Sequence, residues 1–197
     1  MTFRRSIAPF FLLLSSSLLG LGFSGCSTLV GSVKPVDEKS EHYGVLDLAK
    51  EQPAVWKKLN DQQLQPRDAQ IGTNKDAFSS EVTDFAFQSV KTAAIISLNS
   101  SCRKGRGRIT ELKPYLRELF LGMTDKSEQE QIETTVDNTP ALERTVEGRM
   151  AGEETKIRAF VLSKTDCIYD LMYISRPNRF ETHAADFNRF VSSLRLR

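Results

Sequence analysis

The chain of 197 residues has only two histidines, His42 and His183, and three cysteines, Cys26, Cys102 and Cys167. Nowhere do Cys and His stand at the spacings of a zinc site, and there is no C-x-x-C redox pair. The nucleophile elbow G-x-S-x-G, the Walker loop and the dinucleotide loop G-x-G-x-x-G are absent too. No cofactor and no metal is implied. A Ser–His–acid triad would have to use one of the two histidines, and His183 reads first as a solvated residue in the first turn of a helix. Beyond the N-terminal stretch, net charge is also missing. Arg4 and Arg5 lie in an acid-free N-terminal stretch, and without them the remaining basic residues equal the 25 acids in number. A neutral domain has no field to draw it onto nucleic acid.

What is present begins at the N-terminus. Arg4 and Arg5 precede an apolar run from Ile7 to Phe23, and the small residues Ser24 and Gly25 lead to Cys26. This is the three-part layout of a secretory signal. With Pro9 and Ser15–Ser17 inside it, the run falls short of the roughly 20 apolar residues that span a bilayer. Phe23-Ser24-Gly25-Cys26 resembles the lipobox of bacterial lipoproteins, with Phe23 where leucine is usual. The resemblance implies cleavage after residue 25 and acylation of Cys26. It also implies sorting to an outer membrane, because Ser27 is not aspartate. Several acyl chains at roughly 0.8 kcal/mol per buried CH₂ hold a protein durably at a membrane. The expected organisation is therefore a signal peptide over 1–25, a lipid-anchored tether over 26–53 and one globular domain over 54–197. The partners expected are the membrane, through the lipid, and an envelope protein, lipid or cell-wall component.

In the domain, 82–87 and 92–99 read as strands, as do 130–136, 142–149, 155–162 and 167–174. Glycine and two acids at 152–154 read as the turn before the fifth of these. Residues 111–123 carry Leu112, Leu116, Leu119, Phe120 and Met123 at helical spacing, with Thr110 as cap and Pro114 in the first turn. A second helix over 183–194, capped by Thr182, places Phe187, Phe190, Val191 and Leu194 on one side. Because 167–174 is apolar at nearly every position, both faces of that strand need cover. The order of elements predicts an α+β fold: a mainly antiparallel sheet with an internal helix and a C-terminal helix packed on it.

Asn99-Ser100-Ser101-Cys102, the apolar helix ending at Gly122, the strand Asp166-Cys167-Ile168-Tyr169-Asp170 and the closing Phe187-Asn188-Arg189-Phe190-Val191 together resemble a group of uncharacterised bacterial lipoproteins. The layout is also similar to the α-β-α sandwich of PsbP-like proteins. Neither resemblance implies an activity, since fold does not fix function.

Export puts Cys102 and Cys167 in an oxidising compartment, where an even pair invites a disulfide; the alternative is two separate buried thiols. Closing the chain between them would remove roughly 4 kcal/mol of entropy from the unfolded state. Arg103, Lys104, Arg106 and Arg108 form a basic loop with Gly105 and Gly107. It reads as a solvated loop or as a contact for an anionic surface, at about 1 kcal/mol per charge. Asp170, inside an apolar strand, needs a hydrogen-bonded partner. Tyr169 and Tyr173 share a face and read as packing residues. The domain is thus expected to be a non-catalytic structural or binding module, with a small hydrolase or transferase as the alternative.

Intact-mass analysis of protein taken from the envelope should show a chain that starts at Cys26 and carries acyl mass. Cys26→Ser should release it into the soluble fraction. An unmodified soluble chain in the wild type would contradict the lipid anchor.

Overall fold

The computed structural model describes residues 32–33, 42–59, 82–102, 109–128 and 130–197. The leader, Cys26 and the basic residues Arg103, Lys104, Arg106 and Arg108 lie outside the described residues.

Cys167–Ser175 (β10) is the centre of the sheet. It pairs antiparallel with Ile95–Cys102 (β5) on one side and Glu153–Lys164 (β9) on the other. Outward from β5 lies Val82–Ser89 (β4), and outward from β9 lies Thr139–Met150 (β8), both antiparallel to their neighbours. Each outer flank is shared by two short strands. Ser32–Val33 (β1, parallel) and Trp56–Lys58 (β3) pair with β4, while Met123–Glu128 (β6) and Ile132–Val136 (β7) pair with β8. Tyr43–Gly44 (β2) and Arg195–Leu196 (β11) form a small separate pair. The helices are Leu48–Glu51 (α1), Lys113–Glu118 (α2) and Ala184–Ser193 (α3), the last preceded by a 3₁₀ turn over Pro177–Thr182. This is the expected α+β class, dominated by antiparallel sheet.

Two hydrophobic cores lie on opposite faces of the sheet. Strand side chains alternate, so Tyr169, Leu171 and Tyr173 of β10 join Phe187, Phe190 and Leu194 of α3 in one core. Ile168 and Ile174 join Leu116 and Phe120 in the other. β9 divides in the same way: Phe160 and Leu162 face α3, while Ile157, Ala159 and Val161 face α2. The C-terminal helix is the cover that the apolar strand required, with Phe187, Phe190 and Leu194 fully buried. Tyr169 and Tyr173 are packing residues, and burial raises the pKa of both phenols above the ordinary tyrosine value, so they stay protonated.

Several boundaries differ from expectation. The segment read as tether as far as residue 53 already packs from residue 43: Tyr43 and Leu48 are buried in the α3-side core, because their apolar side chains complete its rim. The helix read over 111–123 stops at Glu118. Residues 119–122 turn, and Met123 opens β6 opposite Met150. Met123 is buried in the same core as Leu116, so strand and helix satisfied one apolar pattern. Gly148 admits this close pairing: a Cβ there would sit 2.6 Å from the Thr124 carbonyl oxygen. Pro114 is in the first turn as expected, but α2 begins at Lys113, with Leu112 in the N-cap position and no side-chain cap from Thr110. Ala151-Gly152 alone makes the turn before β9, both with positive φ, which leaves Glu153 and Glu154 to the strand. Asp137-Asn138, again both at positive φ, forms the two-residue turn that joins β7 to β8.

Register brings Cys102 opposite Cys167, their Cα atoms 4.0 Å apart, and the pair is disulfide-compatible. Asp170 is half-buried and accepts a hydrogen bond from the Asn99 amide at 3.3 Å, the structural partner its strand position demanded.

Phe190→Ala should lower the stability of the domain by about 3–5 kcal/mol, the usual cost of emptying a buried aromatic site. Urea unfolding followed by circular dichroism checks this, and an unchanged midpoint would contradict burial of Phe190 between the helix and the sheet.

Candidate functional site

The residue that the sequence least distinguishes becomes the centre of a polar network. His183 stands at the start of α3 and was expected to be solvated; it is only 6% exposed. Its burial follows from its partners. Nε2 lies 3.0 Å from Ser89 Oγ and 3.1 Å from Thr92 Oγ1, at the end of β4 and in the turn that follows. Nδ1 lies 3.3 Å from Asp186 Oδ2, one turn along α3. A proton on Nδ1 facing the carboxylate leaves Nε2 to accept from a hydroxyl, the tautomer this network favours. The indole of Trp56 packs tilted against the imidazole with ring centroids 4.7 Å apart.

Asp186 gathers the surrounding chain. Trp56 Nε1 donates to Oδ2 at 3.1 Å, and Gln52 Nε2 donates to Oδ1 at 3.0 Å. Arg189 lies 3.5 Å from Oδ1 and also pairs with Glu51. One carboxylate thus ties α1 and β3 to α3 and, through His183, to the β4–β5 turn. An acid in the first turn of a helix also meets the positive end of the helix dipole. Next to it, Tyr173 Oη donates to the Phe180 carbonyl at 2.6 Å and holds the 3₁₀ turn onto the sheet.

Where these segments meet, a cavity of about 450 Å³ opens. Ser89, Thr92 and His183 line it together with the cations Lys91, Arg176 and Arg179. Val55, Asn178 and Thr182 complete the wall, and no carboxylate lines it. Arg176 also reaches Glu153 at 3.5 Å across an exposed rim. The volume is in the range of small-molecule sites, about 300–1,000 Å³.

The cysteine pair closes the opposite ends of β5 and β10, away from this cavity. His42 is exposed, and its backbone carbonyl accepts from Arg197. Thr182, expected as helix cap, ends the 3₁₀ turn instead. Sequence reasoning missed Ser89, Thr92, Asp186 and Trp56, together with the three cations. The single local signal was the His183–Asp186 spacing of three residues on one helix; the other partners come from strands and turns distant in sequence. Among the described residues no group of His, Cys, Asp and Glu could hold a metal ion, and no helix is long and apolar enough to cross a membrane.

No protein-family model and no curated protein matches the chain. Solved structures similar to it include two of low sequence identity. One is the crystal structure of a protein of unknown function from Pseudomonas aeruginosa, at 11% identity and a TM-score of 0.49, covering 62% of this chain and 88% of that one. The other is the solution structure of cyanobacterial PsbP, CyanoP, from Synechocystis, at 12% identity and a TM-score of 0.49, covering 79% and 93%. The second is of the type whose layout the sequence resembles. No residue role passes from either protein to this chain, whose layers rest on its own two cores.

Proposed function

We propose that the chain is an envelope lipoprotein, held at a membrane by an acylated Cys26, whose domain is a non-catalytic binding module with its receptor site at the His183 cavity. Support for the anchor is the lipobox-like Phe23-Ser24-Gly25-Cys26 after the apolar leader. The observation that carries the binding reading is the cavity itself, where polar groups converge and the lining holds three cations and no carboxylate. Like charges gathered around a concave site repel one another, and a ligand of opposite charge relieves that repulsion. The partner belongs to the envelope, as a protein, a lipid or a wall component, and the outer membrane is the proposed site of anchoring.

One observation favours a second reading, a small hydrolase: Ser89, His183 and Asp186 are hydrogen-bonded in the order of a nucleophile, a base and an orienting acid. The details of the network favour structure over catalysis. Ser89 is 2% exposed, and its Oγ already accepts from the Thr92 amide at 3.3 Å. Nε2 is shared with Thr92, and Asp186 Oδ2 with the Trp56 indole. A serine nucleophile must reach a substrate carbonyl with its oxygen free to attack.

Treatment of the native protein with a fluorophosphonate should leave Ser89 unmodified, and Ser89→Ala should lower the melting temperature. Stoichiometric phosphonylation that disappears in Ser89→Ala would overturn the non-catalytic reading in favour of the hydrolase.

A further inference from the structure

The geometry points to a phosphomonoester as the ligand of the His183 cavity, an inference that rests on the binding reading above. Lys91 comes from the β4–β5 turn, and Arg176 and Arg179 come from the start of the 3₁₀ turn, so two chain segments far apart in sequence deliver three cations to one cavity. A solvated basic face would scatter such charges; here they surround a concavity that holds no acid. Two carboxylates of the surrounding segments are already engaged. Asp186 lies behind His183 with four nitrogen partners, and Glu153 meets Arg176 outside the cavity lining.

A phosphomonoester fits this arrangement by charge and by geometry. It carries about 1.5 to 2 negative charges near neutral pH and three strong acceptor oxygens. Arginine forks suit bidentate contact with such oxygens, and lysine adds a compact charge. Thr182 and Asn178 supply neutral donors along the wall. Thr182 and His183 stand just before the first turn of the ten-residue helix α3, where the dipole is positive and no side chain caps the helix. A simple carboxylate brings one charge and two oxygens to three lining cations, fewer of both than a phosphomonoester brings. The same headgroup chemistry occurs in soluble phosphates and in phosphatidic acid, so the source is decided by experiment.

Trp56 is the single tryptophan of the whole chain, and its ring lies against His183 beside the cavity, so its emission reports on the site directly. The full protein is reconstituted in phosphatidylcholine vesicles and titrated with inorganic phosphate at constant ionic strength. A parallel series raises the phosphatidic acid content of the vesicles. A saturable change of Trp56 emission is expected with at least one of the two. Phosphate alone sufficing marks a soluble ligand; a response to phosphatidic acid only marks a lipid headgroup. Lys91→Gln and Arg179→Gln, both at exposed positions and each with an unchanged melting temperature, should raise the half-saturating concentration about tenfold, the loss expected for one charge-assisted contact. The inference is overturned if neither source gives saturation, if both variants titrate like the wild type, or if acetate saturates the signal at the same concentration. Acetate saturation would leave the binding reading standing, whereas phosphonylation of Ser89 would remove that reading by a separate readout.

Discussion

Strand β10 sends side chains into two separate cores, and the other elements are placed by that demand. Tyr169, Leu171 and Tyr173 need cover on one face, and Ile168 and Ile174 need it on the other. A strand apolar on both faces is stable only between layers. The α3 side is closed by the C-terminal helix and by the N-terminal segment with Tyr43, Leu48 and Trp56; the other side is closed by α2 and its flanking residues. Burial of this kind, at about 25 cal/mol per Å² of apolar surface, is the main favourable contribution to a domain of this size. The central position of β10 also spares it an exposed edge, while the outer flanks are divided among the short strands β1, β3, β6 and β7, which present little continuous edge for misplaced pairing.

The cavity is a consequence of how the α3-side cover is attached. After Ser175 the chain must leave the sheet and return as a helix across the same face, and the 3₁₀ turn of Pro177–Thr182 makes that passage. The corner leaves polar groups at the rim of an apolar core, where an unpaired donor or acceptor costs about 1–3 kcal/mol. Asp186 and His183 resolve that cost by pairing with Gln52, Trp56, Ser89 and Thr92. The same contacts fix the two segments that bring Lys91, Arg176 and Arg179 together, so the site's charge is positioned by a structural network and not by the cations themselves.

The sheet and the closing helix were legible because their signals are local. The unbroken apolar run of 167–174, the alternation along 155–162 and the helical spacing of Phe187, Phe190, Val191 and Leu194 each name their element without tertiary information. The α2–β6 boundary was not legible, because Leu112 to Met123 satisfies a helical stripe and Met123 serves the same core from a strand. The fit of Gly148 beneath Thr124 is visible only once β6 and β8 are paired. His183 was misread for a related reason: a histidine before a helix is ordinarily solvated, and its burial depends on Ser89 and Thr92, more than ninety residues earlier. The cysteine pairing was legible as chemistry, and the β5–β10 register supplies its geometry.

The central claim is that β10 is the middle of a core sealed on both faces by α2 and α3. Native-state amide hydrogen exchange tests it directly. The account predicts that amides of β10, and of β5 and β9 beside it, exchange only by global unfolding, with one common opening free energy at positions facing either core. Exchange from β10 through local openings of low free energy, or a gap of several kcal/mol between residues of its two faces, would contradict it.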